Sequence, residues 1–273
     1  MAFTLPPEVA RLIEGQTAAL AALEPAGKAK LLAIAKDVQV TMERRLRSIS
    51  AERFAAQETR VVLAQVRAVV DSLAAEFGDR TGRAAEDIAR AAAGVGRESL
   101  ALQIEHWARE FEGSVRRIAP VELSGDLLGD GLLEYYRSSR ERYGLDALAR
   151  MRRAMATGSL SGETLLQTSE RLSVALDLKP YWAERIVRTE ASFAMHRRQL
   201  EDLRRHEIET GEAWEKMTTG PMDRRTGMDS RAIEGQRRPL DEAFDNPEFG
   251  PFMHNPDRPM DRGTTVFVPR IAT

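Results

Sequence analysis

The chain contains no cysteine. Disulfides and cysteine-based zinc sites are therefore excluded. Histidine is nearly as scarce. His106, His196, His206 and His254 are widely scattered, and no pair has the H-x-x-x-H spacing. A histidine-rich metal centre is not expected, although carboxylates remain able to bind a hard cation. No apolar run approaches the roughly 20 residues needed to cross a bilayer. The opening MAFTLPPEVARL has no basic segment followed by an apolar one, so no secretory signal is expected. Neither sign of charge dominates, because the net charge is −2. Residues 1–120 sum to +1, residues 121–210 to −1 and residues 211–273 to −2. No segment is basic enough for a dedicated DNA-binding domain. Lysine is also rare, with 5 against 35 arginines. A GC-rich coding sequence accounts for that bias; arginines selected for bidentate interface contacts are the alternative.

What remains is mostly helical signal. Hydrophobic residues make up 42% and charged residues 30% of the chain, ordinary proportions for a globular protein. Pro6-Pro7 suits the first turn of a helix, where a missing N–H is not needed. That helix is expected over residues 8–23 and to end at Pro25 and Gly27. Lys28 to Phe77 has no Gly or Pro. Leu31, Ala35, Val38, Met42, Leu46 and Ile49 form one helical stripe, and Val62, Val66, Val69, Leu73 and Phe77 form another. The stripes are out of phase, which predicts two helices or a kink near Ser48–Ser50. Gly78-Asp79-Arg80-Thr81-Gly82 reads as a turn, and a further long helix reaches about Glu112. Arg44, Arg45 and Arg47 alternate with acids such as Glu43 and Glu52, as on a solvated face.

Pro120 to Gly131 reads as a connector. The domain division expected is 1–120, an elongated N-terminal helical domain; 121–144, a connector; and 145–273, an α+β domain. Within the connector, LLEYYRSSRERYG is expected to be helical, with Tyr135, Tyr136 and Tyr143 packing between the domains. Three helices follow: residues 146–157, stopped by Gly158; Ser161, an N-cap residue, to about Leu176; and Pro180 to about Ile208. The third carries an apolar stripe of Trp182, Ile186, Phe193, Leu200 and Leu203. Past Gly211 the composition shifts. Residues 212–218 suit a strand, and Thr264-Thr265-Val266-Phe267-Val268 is the strongest strand signal. The fold class expected is mainly α with a small C-terminal α+β module.

One stretch, Trp214 to Phe244, organises this last part. Arg188-Thr189-Glu190 lies on the helix before it. Trp214 opens the strand, Asp223, Arg225 and Thr226 form a D-x-R-T core, and Gly235-Gln236 follows. FMHNPDRP (Phe252–Pro259) adds a proline-rich stretch. In this order and spacing, the pieces resemble the head-morphogenesis domain of tailed bacteriophages, the family of the phage Mu F protein and related minor head proteins. The resemblance covers about Leu145 to Val268. Val187 replaces the family's usual Ala before Arg-Thr-Glu. Gly227 stands where a second Arg is usual and Ser230 where a His is usual, and the closing Asn-Cys-Arg-Cys element is absent. These replacements remove the residues on which a metal or redox role would rest and leave a scaffold role.

The motif reads physically as a polar clamp. Arg188 and Glu190 are two residues apart and cannot share one helix face. Asp223 suits a turn, accepting N–H groups, and Arg225 suits a bidentate carboxylate contact, with Glu190 as candidate partner. Gly235 suits a backbone angle closed to other residues.

The resemblance implies a minor capsid protein, joining the phage head in few copies. Its implied partner is the portal protein, with the major capsid or scaffolding protein and packaged DNA as further partners. The implied action is binding, with no catalysis, cofactor, metal, membrane or small-molecule ligand, in the virion and in the host cytoplasm during assembly. Two other readings stand beside it: a DNA-associated virion protein, and a particle-carried metal-dependent nuclease or toxin-like enzyme. For the enzyme, Glu190, Asp223, Asp229 and Asp257 are the candidate carboxylates, but they are dispersed in sequence, whereas two-metal sites need clustered acids. Ser230, Asp229 and His254 lack a G-x-S-x-G elbow. GVGRES (Gly94–Ser99) lacks the GK[ST] of a P-loop.

Overall fold

The computed structural model describes residues 6–53, 59–115, 128–161, 165–219, 228–244 and 264–270. It is mainly helical, with a small antiparallel sheet near the C-terminal end. The helices are α1 (Pro7–Arg53), α2 (Thr59–Glu110), α3 (Gly129–Leu160), α4 (Leu165–Leu176), α5 (Pro180–Thr210) and the short α6 (Met228–Ile233). The strands are β1 (Trp214–Thr219), β2 (Arg237–Pro239) and β3 (Thr264–Pro269), in the order β2-β1-β3. β1 is central. Lys216 faces Arg238 on one side and Phe267 on the other.

The helices are longer and fewer than the sequence signals indicate. α1 runs through Pro25 and Gly27 without ending. A proline inside a helix loses one hydrogen bond and crowds the preceding turn, at about 3 kcal/mol. Pro25 lies on an exposed face, where the carbonyl left without a partner can be hydrated, and flanking packing carries the helix past it. Similarly, α2 runs through the Gly78–Gly82 segment that reads as a turn, and α3 through Gly144, where the connector was expected to end.

Steric fit explains these glycines. A Cβ on Gly78 would stand 2.5 Å from the Arg140 carbonyl oxygen and 2.6 Å from Gly144 Cα. One on Gly82 would stand 2.2 Å from Arg140 Cγ. The glycines let the backbones of α2 and α3 approach closely. Gly96 does the same against α5, where an added Cβ would be 2.7 Å from the Met195 carbonyl oxygen. Gly94, two residues away, has open space around it.

Contacts group the chain into two units. Unit 1 comprises Met1–Glu24, Asp87–Leu132 and Arg185–Thr273; unit 2 comprises Pro25–Glu86 and Leu133–Glu184. Helices α1, α2, α3 and α5 each contribute to both. In unit 2, the two stripes read from the sequence supply the interior: Leu31, Ala35, Val38, Met42 and Leu46 are buried, as are Val66, Leu73 and Phe77. Tyr136 is also buried, while Tyr135 and Tyr143 flank the Arg142 guanidinium at 5.4 and 5.5 Å. In unit 1, the core joins Leu100, Ile104 and Trp107 of α2, Leu200 and Leu203 of α5, and the sheet residues Trp214, Met217, Val266, Phe267 and Val268.

The apolar stripe expected on α5 is only partly its inner face. Leu200 and Leu203 are buried, Ile186 and Phe193 are half-buried, and Trp182 is 47% exposed. The inner face is lined instead by Ala183, Val187, Ala191 and Ala194 together with polar side chains. Small residues permit the close approach at Gly96. Among the described residues, no helix is long and apolar enough to cross a membrane.

Gly78→Ala should destabilise the protein by about 1–3 kcal/mol through overpacking, despite alanine's better helix propensity. Gly94→Ala, in the same helix but in open space, should stabilise it by about 0.5–1 kcal/mol. Chemical denaturation of the two variants side by side checks both signs.

Candidate functional site

Of the residues singled out by the sequence, the described ones lie on α5, on β1 and on the turn that leads into β2. Arg188 is held by α1: its Nε and one terminal nitrogen donate to the two carboxylate oxygens of Glu24, at 2.6 and 2.9 Å. This bidentate, charge-assisted pair is the strong form of the interaction. Thr189 is half-buried, and Glu190 is 2% exposed. Arg188 and Glu190 thus differ in environment, as their two-residue spacing requires. Asp223, Arg225 and Thr226 lie outside the described residues, and with them the Glu190–Arg225 pair. So do His254 and Asp257, and the side chains of Asp229 and Ser230.

Trp214 is buried where the chain leaves α5 and enters β1. Its backbone N–H donates to Glu207 Oε1 at 2.6 Å, and its indole meets the His206 ring edge-on at 5.8 Å. His206 Nε2 is 3.1 Å from Glu212 Oε2. Burial raises the Glu207 pKa above the usual carboxylate value, and the Trp214 N–H opposes that shift.

Gly235 has φ +72°, the left-handed region expected of it and one that glycine enters at no steric cost. This conformation ends α6 and returns the chain to the sheet. The Gly235 N–H donates to the Thr218 carbonyl at 3.0 Å, and the Thr218 N–H donates to the Gln236 carbonyl at 3.2 Å. The Thr218 hydroxyl donates to the Ile233 carbonyl. The Gln236 side-chain amide donates to the Ala232 carbonyl at 3.2 Å. Gly235, Gln236 and Trp214 therefore belong to one sheet assembly, whereas Arg188 engages α1.

Alternation along β1 puts Trp214, Lys216 and Thr218 on one face. Lys216 is fully buried and was not singled out from the sequence. Its ammonium donates to the carbonyls of Leu240 (3.1 Å) and Glu242, and lies 5.1 Å from the centroid of the Phe244 ring. It pins the segment after β2 onto the sheet. Burial, helped by the nearby Arg204 cation, lowers the Lys216 pKa from 10.5 to about 8. Asp241 and Glu242 oppose the shift, and Asp241 is itself paired with Arg204. A signal existed in the sequence: Lys216 is one of only five lysines, placed inside a short strand between Trp214 and Met217.

β3 is covered along its outer edge by side chains of α2. The Trp107 indole N–H donates to the Phe267 carbonyl at 2.9 Å, and the Phe267 N–H donates to Gln103 Oε1 at 3.3 Å. Covering an edge in this way prevents pairing with another strand.

Beneath the sheet, α5 carries a buried polar seam. Arg198 donates to Asp202 at 2.8 Å through Nε and more closely through a terminal nitrogen, and Arg97 donates to the same carboxylate at 3.4 Å. Asp202 is wholly buried and Arg198 nearly so. Gln16 Oε1 accepts from Ser99 at 2.5 Å and from Gln199 at 3.0 Å, joining α1, α2 and α5. The sequence contained the Arg198–Asp202 spacing, but Arg197–Glu201 has the same spacing and is half-exposed. Only burial separates them.

Among the described residues, no group of three or more His, Asp or Glu side chains is placed to hold a metal ion. The arrangement is suited to holding helices and sheet together, with Arg188–Glu24, Lys216 and the Gly235 turn as its fasteners. No protein-family model, curated protein or solved structure matches the chain.

Two measurements probe these fasteners. Asp202→Asn removes the buried carboxylate that Arg198 and Arg97 share and should cost about 3–5 kcal/mol in urea unfolding. For Lys216, the folded pKa is below the unfolded value, so the unfolded chain binds more protons between about pH 8 and 10.5. Stability from this group is lowest below about pH 8 and rises toward pH 10.5. Urea unfolding of the wild type and Lys216→Met across that range should show a rising component that the variant lacks.

Proposed function

We propose that this chain is a minor head protein of a tailed bacteriophage, acting by binding at the portal vertex during head assembly and DNA packaging or delivery. The observation that carries the reading is the order of the motif pieces in the chain: Arg188-Thr189-Glu190, then Trp214, then Asp223-Arg224-Arg225-Thr226, then Gly235-Gln236. Its support also includes the roles of the described members of that series. Arg188 ties α5 to α1, Trp214 anchors the start of β1, and Gly235 makes the left-handed turn that sets β2 against β1. These are fastening roles, suited to a scaffold and not to turnover of a substrate. On this reading, the compact sheet-bearing part is the anchor, and the portal protein is the partner.

Particles purified from the source test it, with this chain quantified against the portal protein by mass spectrometry. A fixed ratio of a few copies per portal is expected. Absence from both procapsids and mature particles would reject the reading.

A further inference from the structure

Folding redistributes the charge of this chain. The serial segments 1–120, 121–210 and 211–273 are each close to neutral. Unit 2, in contrast, holds 19 Lys and Arg against 15 Asp and Glu, a net +4. Unit 1 holds 21 against 27, a net −6.

Within unit 2, the surplus gathers at one end. Arg80 meets Asp37 at 2.6 Å and Arg45 meets Ser72 at 3.4 Å, so α1 and α2 run antiparallel. Arg140 meets Glu86 at 2.6 Å and Arg152 meets Asp71 at 3.2 Å, so α2 and α3 also run antiparallel. These two registers bring the end of α1, the start of α2 and the later part of α3 together. Two of the acids there are engaged: Asp71 by Arg152, and Glu43 by the Ser173 hydroxyl at 3.0 Å and Arg47 at 4.0 Å. Arg44, Arg67 and Arg153 remain exposed, and none of the three has a carboxylate partner among the described residues.

We propose that this end of unit 2 binds the phosphate backbone of nucleic acid, independently of base sequence, through Arg44, Arg67 and Arg153. Guanidinium groups match phosphate oxygens in charge and in forked geometry. Three of them on the sides of three helices supply charge without a shaped reader of base edges, so the contact positions a duplex but does not select one. An acidic face of a second copy is the less favoured occupant, because many acids of unit 1 are already engaged. Glu24, Glu201, Glu212, Glu215 and Asp241 all have Arg or His partners, and Asp202 is buried. The inference does not rest on the minor-head reading, which is tested by copy number and can fail separately.

The test is fluorescence anisotropy of the full chain with a short, mixed-sequence DNA duplex across a salt series. Three phosphate contacts predict a slope of log Kobs against log salt of about −2.7. The R44E/R67E/R153E variant should lose about tenfold or more in affinity near 50 mM salt. R11E/R109E/R205E makes the same change in net charge within unit 1 and should stay within about threefold of wild type, because it leaves the three proposed phosphate contacts in place. An R44Q/R67Q/R153Q variant, which introduces no new repulsion, should show the same ordering with a smaller loss. Circular-dichroism melts matching wild type confirm that each variant is folded. The proposal is overturned if wild type fails to bind the duplex near 50 mM salt, or if the two charge-reversal variants lose affinity equally. It is also overturned if anionic phospholipid vesicles are bound and the duplex is not. Salt-sensitive self-association in sedimentation, abolished by R44E/R67E/R153E and seen without duplex binding, would reassign the surface to a second copy.

Discussion

Unit 1 depends on a carboxylate that water cannot reach. Asp202 is wholly buried, with Arg198 and Arg97 donating to it from α5 and α2. An ion taken out of water is tolerated only when paired and hydrogen-bonded. These three groups therefore restrict how α2 and α5 slide past each other more tightly than apolar contacts would. Gln16 extends the restriction to α1 through Ser99 and Gln199. The sheet then rests on α2 through Trp107 and Gln103, which occupy the N–H and C=O of Phe267.

Close backbone approach is the second constraint, and it follows from the amino-acid sizes on α2. Gly78 and Gly82 admit α3, and Gly96 admits Met195 of α5. Buried alanines on both α2 and α5 continue this small-residue lining. Long, continuous helices with small contact residues result, in which alanine and glycine are markers of packing as much as of helix propensity or turns.

The sheet is small but thoroughly fastened. β1 lies between two short partners. The two hydrogen bonds from the Lys216 ammonium draw residues 240–244 back over its face. A lysine in this position is held between opposing effects: burial favours the neutral amine, whereas Asp241 and Glu242 favour the ammonium. The exposed arginines Arg44, Arg67 and Arg153 lie on a different unit of the chain from these fasteners.

Several elements followed from the sequence by itself. Mainly helical character, the buried stripes at Leu31–Leu46 and Val66–Phe77, the strands at Trp214 and Thr264, and the left-handed Gly235 are all set by local periodicity, β-branching or backbone sterics. Those signals act over a few residues and survive in the linear chain. Helix continuity through Pro25, Gly78 and Gly144 was not legible, because a local breaker signal is outweighed only by neighbours distant in sequence. β2 was missed because three residues, Arg-Arg-Pro, carry no alternation until β1 pairs with them. Arg198–Asp202 and Arg197–Glu201 look alike on paper, and Lys216 stands out only as an unusual choice in a strand. Burial and charge grouping depend on which helices meet. The tertiary structure therefore decided which ion pair is structural, which lysine is buried, and which arginines gather on one end of unit 2.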